Sequence, residues 1–259
     1  MTQKSRGFTI IELLLAMTFV SMLLLAIALT IVQIANTYNK GMILKEVNQV
    51  SRSLGEELAR AMRSSSTFSN DPAARRYVNN AWGGRLCMGQ YSYVWNYGTA
   101  LSEVNTNRNQ YSSPNMDGNK ITDGSGTRYE ITFVKAPDTG GTYCIPDASS
   151  GKYPNINPVG AVELMKSGDH TLAIHTFGLD SAATAKDTLS SQQIYKVSYT
   201  IGTDKVNAIT SNPGVCNVPS GSGPTAVYCC KPPGQPGSDL NYCEVQKFTV
   251  VLRVVSGVN

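Results

Sequence analysis

Apolar and polar positions divide the chain into three regimes. From Leu13 to Val32 run 20 residues without a charged side chain. As a helix rising 1.5 Å per residue, that stretch spans roughly 30 Å, the hydrocarbon thickness of a bilayer. The pattern then changes without a break. Val47, Val50, Leu54, Leu58, Ala61 and Met62 recur at three- and four-residue spacing. Lys45, Glu46, Asn48, Gln49, Arg52, Ser53, Glu56, Arg60 and Arg63 fill the other faces. That period predicts an amphipathic helix, with Arg52–Glu56 and Glu56–Arg60 at pairing distance along it. No proline occurs before Pro72, and a serine–threonine run ending in Asn70-Asp71-Pro72 supplies the stop. One helix from Phe8 to about Arg63, roughly 84 Å long, is expected. Gly41 and Gly55 are its weak points, each costing about 1 kcal/mol relative to alanine. Gly41, close to the membrane exit, is the place for a bend.

Beyond residue 72 the helical period fades. "QIYKVSYTIG" alternates, with Tyr195, Val197, Tyr199 and Ile201 facing one way and Lys196, Ser198 and Thr200 the other. Arg128 to Lys135 ("RYEITFVK") does likewise, and "GQYSYVWNYG", "HTLAIHTFG" and "KFTVVLRVV" are further strands. Turn-rich intervals separate them. Alternation puts Tyr91, Tyr93, Trp95 and Tyr97 on one face, as core. The expected class is α+β: a long N-terminal helix packed on an antiparallel sheet head with disulfide-stapled loops.

Composition sharpens this picture. Charged residues make up only 15% of the chain, hydrophobic residues 41%, and the net charge is +4. That balance suits an extracellular β-rich domain and predicts no particular attraction to nucleic acid. Cys87, Cys144, Cys216, Cys229, Cys230 and Cys243 all follow the apolar segment. An even count there favours an oxidising compartment and disulfides. Zinc fits less well, because no pair has CxxC spacing and neither histidine lies close in sequence to the cysteines. Cys216 to Cys229 and Cys230 to Cys243 have equal spacing, so two consecutive loops fit, but crossed pairing fits equally. Six cysteines allow 15 connectivities.

The start of the chain holds a conflict. Glu12 places a carboxylate at the mouth of a membrane-length segment, where an unpaired charge is costly. Lys4 and Arg6 precede it and hold the N-terminus on the cytoplasmic side. The apolar run is too long for an ordinary secretory signal and has no convincing cleavage box after it. A plain anchor would leave "GFTIIE" unexplained. "RGFTIIELLLAM" resembles the processing signature of type IV pilins and pseudopilins, over roughly Arg6 to Val32. The resemblance implies cleavage by a prepilin peptidase between Gly7 and Phe8, with N-methylation of Phe8. It also implies that Glu12 pairs with the N-terminal amine of a neighbouring subunit, each charge neutralising the other in lipid. Residues 1–7 are then a cleaved leader, 8–34 the transmembrane and filament-core helix, and 35–66 the amphipathic half of the same helix. Residues 67–259 form the extracytoplasmic β-rich head.

Catalytic chemistry is poorly represented. His170 and His175 are the only histidines. On one strand their odd separation sends them to opposite faces, so they do not share a metal. G-x-S-x-G, H-E-x-x-H and a Walker P-loop are absent. "DGNKITDGSG" loosely resembles a calcium loop through Asp117 and Asn119, but Ile121 and Asp123 break the pattern, so it reads as a polar hairpin. The expectation is a filament subunit and not an enzyme, with no cofactor and no metal. By size and resemblance it is a large-headed minor pilin or pseudopilin of the kind associated with filament priming and tips. The implied partners are other pilin or pseudopilin subunits, the prepilin peptidase, the membrane assembly platform and the cytoplasmic membrane. From there the head would reach a periplasmic or extracellular filament. The rival class is a membrane- or filament-displayed binding protein, an adhesin or DNA-uptake receptor. An anchored enzyme is the third.

Processing is directly measurable. Intact mass of the protein from its native host should correspond to Phe8–Asn259 carrying one added methyl group. A bulky residue in place of Gly7 should block the cut, and a mature chain that begins at Met1 would contradict the resemblance.

Overall fold

The computed structural model describes residues 9–65, 76–79, 83–88, 90–98, 120–122, 128–130, 132–149, 153–154, 156–157, 159–165, 171–181, 192–217, 226–239 and 241–255. The first element is a single helix, α1, Ile10–Ser64, of 55 residues, roughly 82 Å long. Gly41 sits inside it without interrupting it. The N-terminal part is long and apolar enough to cross a membrane, and none of it is covered by the rest of the chain. From Ile43 onward one stripe is buried: Ile43, Val47, Val50, Ser51, Leu54, Gly55, Leu58, Ala59 and Met62. The expected stripe is there. It begins earlier than expected and includes small residues that hydrophobic periodicity alone does not select. Of the expected surface pairs, Arg60 instead reaches Glu57, one helical turn away at 3.8 Å.

Two antiparallel sheets form the head. One has strand order β1 (Tyr77–Asn79), β2 (Gly83–Met88), β3 (Tyr91–Asn96), β6 (Phe133–Pro137), β7 (Val162–Glu163). The other has order β12 (Val245–Val255), β9 (Gln192–Thr203), β8 (Leu172–Ser181). A short parallel bridge between Tyr97 and Ile174 joins them. Two-stranded ribbons pair β4 (Lys120–Thr122) with β5 (Arg128–Glu130), and β10 (Ile209–Thr210) with β11 (Cys229–Cys230). The fold is thus α+β, with antiparallel sheets and a long N-terminal helix. The Arg128–Lys135 run corrects the single-strand expectation. It splits into β5 and β6, which belong to different sheets, and a bend at Thr132 intervenes.

The main core lies between α1 and both sheets. Val47, Val50, Leu54, Leu58 and Met62 pack with Leu86, Tyr93, Trp95 and Phe133 of one sheet and Phe177, Tyr195, Val197, Tyr199 and Ile201 of the other. Tyr93, Trp95 and Tyr97 are buried as their alternation predicts, whereas Tyr91, at the strand start, is exposed. Behind the five-stranded sheet a second cluster joins Val94, Val134, Ala136 and Ile156. β3 therefore uses both faces, and strict polar–apolar alternation fails there.

Gly55 marks the closest approach of helix and sheet. A Cβ at this position would lie 2.8 Å from the Tyr199 hydroxyl and 3.4 Å from Val250 Cγ2. That hydroxyl cannot easily retreat, because it donates a 2.7 Å hydrogen bond to the Ser51 carbonyl. The helix-weakening glycine is thus a packing residue. Glu57 fixes the other sheet, accepting from Lys135 Nζ at 2.6 Å and from Tyr93 Oη at 2.8 Å. Partial burial opposes its ionisation, but the bonds from Lys135 and Tyr93 outweigh it and hold the carboxyl below its ordinary range.

Two substitutions test this packing in the full chain held in detergent micelles. Leu54→Asp should cost about 3–5 kcal/mol by burying an unpaired charge. Gly55→Ala should lose at least about 1 kcal/mol despite its better helix propensity. Adding Tyr199→Phe should recover part of the Gly55→Ala loss. Denaturant unfolding followed by tryptophan fluorescence measures all three variants, and a Gly55→Ala chain more stable than the parent would contradict the close approach.

Candidate functional site

At the helix start, Thr9 and Glu12 form a reciprocal cap. Glu12 N–H donates to Thr9 Oγ1 at 3.3 Å, while Thr9 N–H and Oγ1 both donate to Glu12 Oε2 at 3.0 Å. This is a capping box, which satisfies helix N–H groups that have no partner within the helix. The T-x-x-E spacing that announces it is present in the sequence as Thr9–Glu12. Both Thr9 bonds fall on Oε2, so the carboxylate is oriented, and Oε1 has no hydrogen-bond partner among the described residues. Gly7 and Phe8, the expected processing residues, lie outside the described residues. Around and beyond Glu12 the surface is an all-round apolar cylinder, with Ile10, Leu15, Met22, Leu25 and Ile34 all exposed.

The six cysteines form three disulfides, Cys87–Cys144, Cys216–Cys229 and Cys230–Cys243, and no cysteine is free. The two equal spacings are consecutive loops and are not crossed. In the chain-entropy model, each short loop contributes about 3 kcal/mol and the longer one about 4 kcal/mol. The longer bond ties β2 to the turn Thr142–Cys144. Asp138 organises that turn by accepting from Ser92 Oγ at 2.5 Å, Thr142 N–H at 2.9 Å and Tyr143 N–H at 3.0 Å. Arg85, fully buried in β2, donates to the Tyr143 and Pro154 carbonyls at 2.7 and 2.9 Å. Its guanidinium lies 5.2 Å from the Tyr153 ring centre. Burial pulls its pKa down to about 10, so it stays charged at neutral pH.

The stapled C-terminal loops gather around Ala208, Ile209 and Cys243. They reach back to α1 through a 3.2 Å hydrogen bond from Asn39 Nδ2 to Tyr242 Oη. Lys205 joins them, 3.3 Å from Asp239 and 4.9 Å from the Tyr242 ring centre. The loops thus stand beside the helix just past its apolar half. Glu12 lies 27 positions earlier, roughly 40 Å along the axis, so the structure does not bring the docking candidate and the cysteine loops together.

His175 occupies a bulge in β8, between Ile174 and Thr176. Its Nε2 lies 3.1 Å from the Thr203 carbonyl and so carries the proton as donor, while Nδ1 has no partner among the described residues. Gly98 and Gly202 leave room for the ring: a Cβ on Gly98 would lie 2.7 Å from Cε1. Complete burial keeps the ring neutral, its pKa down at about 4 despite the bond to Thr203. His170, Asp117, Asn119 and Asp123 lie outside the described residues. Among the described residues no group of three or more His, Cys, Asp or Glu side chains is placed to hold a metal. An open groove of about 530 Å³ at the helix end is lined by Glu56, Arg60, Arg63 and Ser64 on the exposed side and by Ala59 from the edge of the buried stripe.

No family model, curated protein or solved structure matches this chain.

The buried histidine makes stability depend on pH. Unfolded, His175 titrates near 6.5; folded, near 4, so the unfolded chain binds the extra proton. The neutral-pH stability is complete above about pH 6.5 and falls as the pH drops toward 4, by about 3 kcal/mol at most. His175→Gln should flatten the curve in that window. Denaturant midpoints at pH 7.5, 5.5 and 4.5 for both chains measure it, and equal slopes would contradict a neutral buried ring.

Proposed function

We propose that the chain is a subunit of a type IV pilin-like or pseudopilin filament, a large-headed minor component that helps prime assembly or forms the tip region. The observation that carries this reading is the unity of α1. One helix is uncovered and apolar over a membrane length, then becomes the core of the head without a break. A cleavable or simple anchor does not require such continuity, whereas a subunit that leaves the membrane to join a helical stack does. The sequence "RGFTIIE" before and across the helix start supplies the processing junction and Glu12 at the fifth position after it. Three disulfides suit a head on the extracytoplasmic side. In this reading the chain is a single-pass cytoplasmic-membrane protein until extracted.

The capping geometry gives docking a physical form. In the single chain, Glu12 is held by Thr9 through Oε2. A neighbour's positive N-terminal amine can approach Oε1 without breaking that cap. Removing two opposite charges from contact with lipid then favours the docked pair over the separate subunits.

Variants at Glu12 separate cap from dock. Glu12→Gln keeps an acceptor oxygen for Thr9, but it turns an uncharged amide, with N–H donors, toward the incoming amine. Glu12→Val loses both functions. Both should insert in the membrane and be cut at Gly7, and both should be depleted from sheared filaments at least tenfold relative to the membrane pool. If the glutamine variant enters filaments normally while valine does not, Glu12 acts only as a helix cap. If both enter normally, the docking role is wrong.

A further inference from the structure

The three-stranded sheet has two edges that are finished very differently. The phase of the ladder follows from one bond: Thr203 N–H donates to the Glu244 carbonyl at 3.0 Å, one step beyond the Val245–Gly202 pair. Antiparallel pairs alternate between bonded and non-bonded. Gln246, Phe248, Val250 and Leu252 therefore exchange bonds with β9. Lys247, Thr249, Val251 and Arg253 point their N–H and C=O groups away from it. The same phase turns Phe177 of β8 outward on the opposite edge. There its groups are occupied: the carbonyl accepts from Asn79 Nδ2 at 2.8 Å and Tyr77 Oη at 3.2 Å, and its N–H donates to Tyr97 Oη at 3.2 Å. At Phe177, in the middle of β8, this edge is closed by side chains. The β12 edge, 11 residues long, pairs with no strand among the described residues.

Long open edges invite pairing, and proteins usually blunt them. β12 carries Lys247 and Arg253 on its exposed face, but between them Val251 is 65% exposed. Phe248 and Val250, on the core side, are only partly covered. We propose that the outer edge of β12 takes an added strand from a different subunit of the assembly, one presenting carboxylates opposite Lys247 and Arg253 and an apolar residue opposite Val251. Main-chain bonds supply the affinity and the alternate side chains the choice of partner. A second copy of β12 is the poorer occupant. In the antiparallel register of greatest overlap, centred on Val250, Lys247 faces Arg253 and like charges repel. The identity of the partner as a filament subunit rests on the function proposed above; the open edge itself does not.

The experiment has two arms, both on the full chain. In micelles, a blocked synthetic peptide, Glu-Val-Val-Thr-Thr-Val-Glu, is titrated against the protein and amide exchange is followed. The amides of Lys247, Thr249, Val251 and Arg253 should gain protection. Val251→Pro removes one outward N–H and leaves the β9 ladder intact, so it should weaken binding at least tenfold. Lys247→Glu with Arg253→Glu keeps the backbone and should reverse the preference toward the same peptide with lysines in place of glutamates. In cells, the Val251→Pro chain should be processed and inserted, yet fall at least tenfold in sheared filaments. Three results would overturn the proposal: no protection of these amides, equal peptide binding by the proline variant, or a β12-mediated homodimer of the parent chain. If Glu12 variants fail to assemble but Val251→Pro assembles normally, the filament reading stands and the edge proposal falls. If no filament contains the parent chain, the peptide arm still judges the edge.

Discussion

The head depends on one surface, the buried stripe of α1. Neither sheet has another large apolar element against its inner face among the described residues, and both place their aromatic residues there. Removing the stripe would leave Trp95, Phe133, Phe177 and Tyr199 facing water together. At roughly 25 cal/mol per Å² of apolar surface, one such side chain is worth about 2–3 kcal/mol, comparable with any single disulfide here. This explains why the helix is positioned by specific contacts as well as by apolar area. Tyr199 bonds the backbone at Ser51, and Gly55 lets the sheet approach. One turn on, Glu57 gathers Lys135 and Tyr93. The first two set depth over β9 and β12; the third sets the angle over β3 and β6.

The buried charges of the head, Arg85 and Asp138, are each met by hydrogen bonds. Arg85 is buried, yet its charge meets two carbonyls and an aromatic face, which avoids the cost of an unpaired ion. Asp138 is also buried, and it accepts from Ser92 of β3 and from Thr142 and Tyr143 of the turn. The Cys87–Cys144 bond closes the same neighbourhood. Side chain, turn and disulfide therefore hold one loop region over the second small core, where irregular backbone could not hold itself.

What was legible in the sequence followed from period. α1 was readable because an all-round apolar run and an amphipathic stripe share one frame with no proline. β9 and β12 alternate and were found. β2 was not, because it opens on two glycines and buries an arginine. Gly84 is explained by its neighbours in space, since a Cβ there would lie 2.3 Å from the Trp95 ring and 2.6 Å from the Val78 carbonyl oxygen. The split of Arg128–Lys135 was invisible, since alternation continues across the bend. Disulfide pairing could not be chosen by spacing, because both connectivities close loops of similar entropy. The Glu12 cap has a local signature in the Thr9-x-x-Glu12 spacing, three residues apart at the helix start.

The two proposed contacts lie at different heights along α1. Glu12 is near the start of α1, and β12 lies against it at Gly55, roughly 65 Å further along. A single ionic contact at the helix start would fix axial height but leave rotation about the helix axis free, because an all-round apolar cylinder offers no preferred face. A strand edge is directional and is displaced sideways from that axis. Adding it fixes the rotation, and with it which neighbour each head meets. In the proposed filament, a chain whose apolar half is rotationally featureless needs a second, oriented contact on its head. The unblunted β12 edge is the feature among the described residues that has the length and direction to supply one.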